Sequence, residues 1–156
     1  MPTLRTLAFQ AWFRLSRPMT LGVRAAVENA EGRVFLVRHT YTNGWFMPGG
    51  GVERGEPALE ALRRELIEEG AIRLTAEPQV FGFYSNHHNF RNDHVLLYRV
   101  PFGSWEQVGA TSAGEIAETA WADPHDPPAD ITAGNRRRLE ELYRGVPISP
   151  YWAPRT

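Results

Sequence analysis

The chain has 156 residues, of which 42% are hydrophobic and 12% aromatic, and this is the size of one ordinary domain with its own core. Its 17 basic and 18 acidic side chains leave a net charge of -1, which excludes a global field that would hold duplex nucleic acid. The absence of cysteine excludes disulfides and thiolate chemistry, so a metal would be bound by carboxylates or histidines. We therefore expect a single domain, residues 1–156, that binds a small ligand locally.

The N-terminal segment predicts an amphipathic helix over about residues 3–15, because its apolar residues recur at helical spacing and Pro18 follows. This helix would pack on the domain's own sheet or on a partner subunit, as in a homodimer. Arg5, Arg14 and Arg17 leave open a second interpretation, in which the helix lies on a membrane surface.

No apolar run approaches the roughly 20 residues that span a bilayer. The N-terminus also lacks the apolar region and small-residue cleavage site of a signal peptide. We therefore expect a cytoplasmic protein.

The remaining chain alternates strand patterns with a few helical ones, which predicts an α/β (α+β) fold with a mixed sheet flanked by helices. Strands are predicted at 21–28, 33–39, 79–84, 94–100 and 116–122, and helices at 58–69 and 131–143. The turn Asn29 to Gly32 should join the first two strands as a hairpin. Gly70 should end the first of these helices, and the proline-rich tail of about 145–156 should lie extended on the surface.

One segment concentrates carboxylates behind a glycine turn, in the run GGGVERGEPALEALRRELIEEGAI. The helical part alone is typical of a solvated helix face, in which Glu60 and Arg64 would form an i,i+4 pair and bind nothing. The three glycines after Pro48, followed by Glu56, extend the pattern upstream of the helix, and the whole segment resembles a known family signature.

This segment resembles the signature of the Nudix hydrolases: a Gly, five residues, Glu, seven residues, Arg-Glu, an aliphatic residue, any residue, Glu-Glu, any residue, Gly and an aliphatic residue. The match runs from Gly50 to Ile72, and Ala71 alone departs from it by standing where the second Gly is usual. The resemblance implies an α/β/α sandwich around a mixed central sheet, with the signature as a loop-helix-loop. It also implies an enzyme that cleaves the pyrophosphate bond of a nucleoside diphosphate linked to another moiety, by attack of water on phosphorus.

The spacing of the acidic residues brings their side chains onto one face of the predicted helix. With Leu59 at zero and 100° per residue, Glu65, Glu68 and Glu69 fall at about 240°, 180° and 280°. Like charges at these spacings repel one another, and an oxygen-seeking divalent cation would offset the repulsion. Mg²⁺ is expected, and Mn²⁺ could replace it.

The resemblance assigns roles to individual residues. Glu65, Glu68 and Glu69 would be the metal ligands and part of the catalytic set, and Gly50 would belong to the signature loop. Glu56 and Arg64 would form an ion pair that fixes the loop against the helix.

The general base and the substrate contacts lie outside the signature. Glu115 precedes the strand IAETAWAD and is our candidate for the base, with Glu118 second; either could be a solvated charge. Arg24, Arg38 and Arg91 are the candidate substrate-binding residues. Arg24 and Arg38 could instead be paired with carboxylates at a sheet edge. Arg91 lies in the polar loop HHNFRNDH, which is either a substrate-facing lid or a surface loop.

Two other functions are compatible with the sequence. The chain could be a Nudix-fold sensor or interaction module that binds a nucleotide without cleaving it. It could also be a membrane-associated version of the enzyme. In each case the expected partner is a small nucleotide-type molecule, and duplex nucleic acid is not expected.

Overall fold

The computed structural model describes residues 1–109 and 114–154, which form three helices and eight strands. The helices are α1 (Leu4–Ser16), α2 (Ala58–Gly70) and α3 (Ala133–Arg144). The strands are β1 (Thr20–Val27), β2 (Val34–His39), β3 (Gly49–Gly51), β4 (Ile72–Leu74), β5 (Gln79–Ser85), β6 (Asp93–Val100), β7 (Trp105–Gln107) and β8 (Ile116–Ala122). The short strands β3, β4 and β7 were not predicted, because three residues are too few to show an alternating pattern.

The central sheet is mixed, with the strand order β3-β1-β6-β5. Strand β1 runs parallel to β6 and antiparallel to β3, and β5 pairs antiparallel with β6. Strands β2 and β8 form a separate antiparallel pair, as do β4 and β7. The predicted mixed sheet is therefore confirmed.

Helices α2 and α3 cover opposite faces of these strands, because successive side chains of a strand point to opposite sides. Val23 and Ala25 of β1 are buried in one apolar cluster with Leu66 of α2. Ala26, the next residue along β1, is buried in a second cluster with Leu139 of α3. This arrangement confirms the expected α/β/α architecture.

The predicted hairpin between β1 and β2 is wrong beyond its turn. The turn itself is well made, since the side-chain oxygen of Asn29 accepts hydrogen bonds from the backbone N–H groups of Glu31 and Arg33. Past the single bridge between Glu28 and Val34, the two strands join different sheets. Both edges of β1 are already occupied by β3 and β6, so β2 pairs with β8 instead.

Helix α2 ends differently from the prediction that Gly70 would supply the left-handed residue. Ala71 takes that conformation, with φ 51° and ψ 39°, and its N–H donates to the carbonyl oxygens of Leu66 and Ile67. Gly70 serves packing, because a Cβ there would lie 2.7 Å from the ring of Phe35. Glycine is therefore required at position 70 for packing, whereas Ala71 forms the cap of the helix.

Helix α1 lies where the apolar spacing predicted it, but none of its side chains is buried. Packing on the domain's own sheet, one of the expected arrangements, is therefore wrong. The large apolar side chains remain exposed on this helix: Leu4, Leu7, Phe9, Trp12, Phe13 and Leu15.

Across residues 1–109 and 114–154, no helix combines the length and the apolarity that crossing a bilayer demands.

The C-terminal tail enters the core, which corrects the expectation of a surface segment. Trp152 and Ala153 are buried, and the backbone N–H of Trp152 donates to the carbonyl oxygen of Ser85 at 2.9 Å. The indole lies 5.5 Å from the guanidinium of Arg138, and a Cβ on Gly134 would come within 2.4 Å of it. The tail therefore packs between the edge strand β5 and α3.

We expect Trp152→Ala to lower the free energy of unfolding by about 3 kcal/mol, because it removes a large buried ring and leaves a cavity. Denaturant-induced unfolding followed by circular dichroism measures this change. Phe102→Ala is the matched control, since the side chain of Phe102 is 64% exposed. Equal effects of the two substitutions would contradict the role given to the tail.

Candidate active site

The glycine loop is held directly against the central strand. Gly49 pairs with Arg24 of β1, and Gly50 pairs with Val23. Gly49 has φ 148°, and a Cβ there would lie 1.9 Å from the carbonyl oxygen of Val23. Only glycine fits at this position, so the sheet fixes where the loop meets α2.

Gly50 makes room for the carboxylate of Glu65. A Cβ on Gly50 would lie 2.3 Å from one carboxylate oxygen of Glu65, whereas a Cβ on Gly51 would meet nothing within 4 Å. The Glu65 carboxylate therefore rests against the bare Cα of the loop. The sequence signature placed Gly50 and Glu65 in one motif, and the structure shows that they are in contact.

Glu69 is held through both of its carboxylate oxygens. The backbone N–H of Gly49 donates to Oε2 at 2.8 Å, and Nε2 of His39 lies 2.8 Å from Oε1. The side chains of His39 and Glu69 are only 4% and 9% exposed. Sequence reasoning did not single out His39; the signal available was its position at the end of an apolar strand, two residues after buried Val37.

Arg64 joins the loop to the helix. Its Nε and Nη2 donate to the two carboxylate oxygens of Glu56 at 3.0 and 3.1 Å, and Nη2 also donates to the carbonyl oxygen of Gly51 at 3.1 Å. Its Nη1 donates to Oε1 of Glu65 at 2.9 Å. One guanidinium therefore orients both the loop and a carboxylate of the site, a fork geometry that lysine could not reproduce.

The acidic face of α2 carries more negative charge than Arg64 neutralises. Burial, and then the charge of Glu69, raise the pKa of the Glu65 carboxyl, against the lowering effect of Arg64. The hydrogen bond from Arg64 lowers the pKa of Glu56. Glu68 is half exposed, with its carboxylate 3.6 Å from Nη1 of Arg64. The site therefore contains a concentration of negative charge that a cation would relieve.

In the described parts of the chain, no group of three or more histidine or acidic side chains is already arranged to hold a metal ion. The oxygens of Glu65 and Glu69 instead accept hydrogen bonds from Arg64, His39 and Gly49. Metal binding at this face would thus require the carboxylates to share their lone pairs with a cation or to turn toward it.

A cleft of about 710 Å³ opens beside the glycine loop and includes Gly50 in its wall. Its other walls come from β1, the segment before β6 and the start of α3. Arg24 lines it, with Nη1 donating to the carbonyl oxygen of Met47 and the guanidinium 5.2 Å from the ring centre of Phe46. Burial lowers the pKa of Arg24, and the charges of Glu69 and Glu65 oppose this effect. The structure thus places Arg24 next to the acidic face.

The structure does not bring Arg38 into the cleft. Its guanidinium pairs with Glu118 at 3.2 Å and Asp130 at 2.8 Å, and it stacks over Trp45 at 4.7 Å. Arg38 is therefore paired with carboxylates, which was the alternative interpretation of this residue from the sequence.

The polar loop before β6 faces the cleft through residues other than Arg91. Asn86, Asn89 and Phe90 line the cleft, together with Asp93, whereas Arg91 is exposed and does not. The side chain of Asp93 accepts hydrogen bonds from Thr20 and Asn86, which fixes the base of this loop. This wall of the cleft therefore contains two amides, one carboxylate and one aromatic ring.

Glu115 lies in the turn before β8, near the acidic face. Its carbonyl oxygen accepts a hydrogen bond from the backbone N–H of Thr40 at 2.9 Å. Partial burial, then the charges of Glu115 and Glu69, raise the pKa of Tyr41, so one phenol is influenced by both carboxylates. Glu118, the second candidate for the base, is paired with Arg38.

Comparison with known proteins identifies the family. The family model of the NUDIX domain matches residues 18–142 of this chain. An RNA pyrophosphohydrolase of Halorhodospira halophila is 51% identical over 89 residues, covering 57% of this chain and 44% of that protein. A MutT-like protein of Streptomyces ambofaciens is 27% identical over 108 residues, covering 69% of this chain and 66% of that protein. The chain thus spans less than half the length of the RNA pyrophosphohydrolase.

Solved structures show the same fold. A MutT protein from Methanosarcina mazei Go1 superposes with a TM-score of 0.66 and 22% identity, covering 83% of this chain and 96% of that one. Together with the domain match, this shows that the chain has the Nudix fold. The chain belongs to the Nudix hydrolase family.

Proposed function

We propose that this chain is a Mg²⁺-dependent pyrophosphohydrolase, with Mn²⁺ as a possible substitute, and that it cleaves a small nucleoside diphosphate linked to another moiety. The observation that carries the proposal is the packing of two α2 carboxylates against the glycine loop. Glu65 lies on Gly50 and Glu69 binds the N–H of Gly49, beside a cleft that holds Arg24.

The residues present fit a hard divalent cation. Glu65, Glu68 and Glu69 offer only oxygen atoms, the ligands that Mg²⁺ prefers. The space left by the missing Cβ of Gly50 is what lets one of these carboxylates lie at the loop. Burial, and then the charges of Glu69 and Glu68, raise the pKa of Glu65, and Arg64 offsets only part of this effect. These three side chains would hold the cation, which when bound would neutralise diphosphate charge and lower the pKa of a water molecule.

The protein's own side chains supply the other parts of the reaction. Glu115 would take a proton from the attacking water, whose oxygen forms a new bond to phosphorus. The bond from that phosphorus to the bridging oxygen then breaks, and the leaving phosphate keeps the electron pair. Arg24 would bind a phosphate oxygen, and Arg64 would keep Glu65 in place through its pair with Glu56.

The cleft favours a small substrate. A volume of about 710 Å³ is within the usual range for small-molecule sites. Among the described residues that line it, Arg24 is the only cation, so the cleft offers no basic track along which a polynucleotide backbone would bind. Phe90, with its ring 60% exposed at the wall, offers a surface on which a base could stack.

We expect the wild-type protein to hydrolyse at least one member of a panel of nucleotide sugars, dinucleoside polyphosphates, nucleoside triphosphates and capped RNA when Mg²⁺ or Mn²⁺ is present. Glu69→Gln should lower kcat by at least a hundredfold, because it removes a charged ligand while keeping the side-chain shape. Chelation with EDTA should abolish turnover. Nucleotide binding by calorimetry without any turnover would favour the sensor interpretation instead.

Gly50→Ala should weaken Mn²⁺ binding by about tenfold or more, since the new methyl group would occupy the position of the Glu65 carboxylate. Gly51→Ala is the matched control, because its Cβ would meet open space. Electron paramagnetic resonance titration of Mn²⁺ reports both affinities, and thermal unfolding checks that both variants fold. Indistinguishable affinities would contradict the proposed position of the metal.

Glu115→Gln should lower kcat by about 10²- to 10⁴-fold and leave Mn²⁺ affinity nearly unchanged, because a general base is lost and no ligand is. Glu118→Gln should retain most of the activity, since that carboxylate pairs with Arg38 outside the cleft. Steady-state kinetics of the two variants, with a substrate found in the panel, distinguish the candidates. A larger loss in Glu118→Gln would transfer the role to Glu118.

A further inference from the structure

We propose that His39 is a positioning residue that fixes the Glu69 carboxylate for catalysis. This inference rests on the proposed function, in which Glu69 is a metal ligand. His39 Nε2 lies 2.8 Å from Oε1 of Glu69, and the other oxygen accepts the N–H of Gly49 at the same distance. A carboxylate held at both oxygens cannot rotate about its last bond without losing a hydrogen bond.

The strand pattern explains how His39 reaches α2. Side chains two residues apart on a strand share a face, so His39 points to the same side as Phe35 and Val37. Both of those residues are buried in the apolar cluster that contains Leu66 of α2. His39 is therefore the polar end of an otherwise apolar row, and it lies opposite the last turn of the helix.

An irregularity in the sheet occurs at the same place. The register between β2 and β8 shifts between Arg38, which pairs with Glu118, and His39, which pairs with Ile116. The residue skipped in the pairing is Ala117, so the bulge is on β8 and the alternation along β2 continues to His39. Here the shift lies between an arginine paired at the surface and a histidine buried against Glu69.

Hydrogen-bonding capacity determines which nitrogen of His39 carries the proton. An ionised carboxylate only accepts, so the hydrogen lies on Nε2. Nδ1 is buried and has no hydrogen-bond partner among residues 1–109 and 114–154. The opposite tautomer would bury an unpaired N–H and direct a nitrogen lone pair at a carboxylate oxygen. The Nε2–H group of His39 is therefore directed to Glu69.

Two aromatic rings restrict the imidazole. Tyr41 lies 5.1 Å from it between ring centres, and Phe46 lies 5.3 Å away in an edge-on arrangement. His39 itself does not line the cleft, whereas Phe46 does. A substrate in the cleft would not touch His39, so its effect on the reaction would pass through Glu69.

The test compares two amide substitutions that are matched in polarity and differ in reach. The side-chain nitrogen of His39→Gln can occupy the position of Nε2 and donate to Glu69, and that of His39→Asn reaches only the position of Nδ1. His125→Gln serves as a control, because His125 is exposed and remote from the cleft. For each full-length variant, Mn²⁺ affinity is measured by electron paramagnetic resonance, together with kcat, KM and the melting temperature.

We expect His39→Asn to weaken Mn²⁺ binding by about 10- to 100-fold, as is typical when the hydrogen-bond partner of a ligand is removed. At saturating metal its kcat should fall while KM stays within about threefold of wild type. His39→Gln should recover most of both quantities, and His125→Gln should match wild type.

Three results would overturn the inference. Wild-type metal affinity and kcat in His39→Asn would show that Glu69 needs no partner at this position. If His39→Gln and His39→Asn lose Mn²⁺ affinity equally, and in proportion to the fall in their melting temperatures, the role of His39 is purely structural. A wild-type protein that hydrolyses nothing in the panel would contradict the proposed function and, with it, this inference. If the wild type is active, a negative result with the His39 variants contradicts only the role given to His39.

Discussion

The contact between the glycine loop and the last two turns of α2 is the constraint on which the rest of the structure depends. It brings the Glu65 and Glu69 carboxylates together at a place where their charges repel and water is partly excluded. An isolated helix would spread such charges into solvent. Here the backbone N–H of Gly49, the bare Cα of Gly50 and the Arg64 guanidinium hold them in place. The fold thus maintains an electrostatically unfavourable arrangement, as expected where a site is prepared for a cation.

The sheet makes this arrangement rigid. Because β3 pairs with β1, the loop glycines are in register with Val23 and Arg24, which also define one wall of the cleft. The same strand therefore positions the guanidinium of Arg24 in the cleft and the backbone against which the carboxylates pack. A shift of one residue in this pairing would turn every side chain of β1 to the opposite face, so the two apolar clusters also protect the site.

The parts of the molecule that were predictable from sequence are those with local signals. The glycine turn, the α2 face of Glu65, Glu68 and Glu69, and the long strands follow from spacing and periodicity. The predicted hairpin was wrong because β3 and β6, which follow β2 later in the chain, occupy both edges of β1. Gly70 is needed for packing rather than for the left-handed cap, because the ring of Phe35, distant in sequence, leaves no room for a Cβ at position 70.

His39 and the C-terminal tail show the same limit at the site itself. A histidine at the end of an apolar strand has no sequence context that names its partner, which lies 30 residues away on α2. Trp152 was likewise inconspicuous within a proline-rich segment, yet it lines the cleft and packs on α3. Because Trp152 belongs both to the core and to the cleft wall, the stability of the fold and the shape of the cleft are coupled. Substitutions in the tail would therefore change the shape of the cleft without touching any carboxylate of the signature.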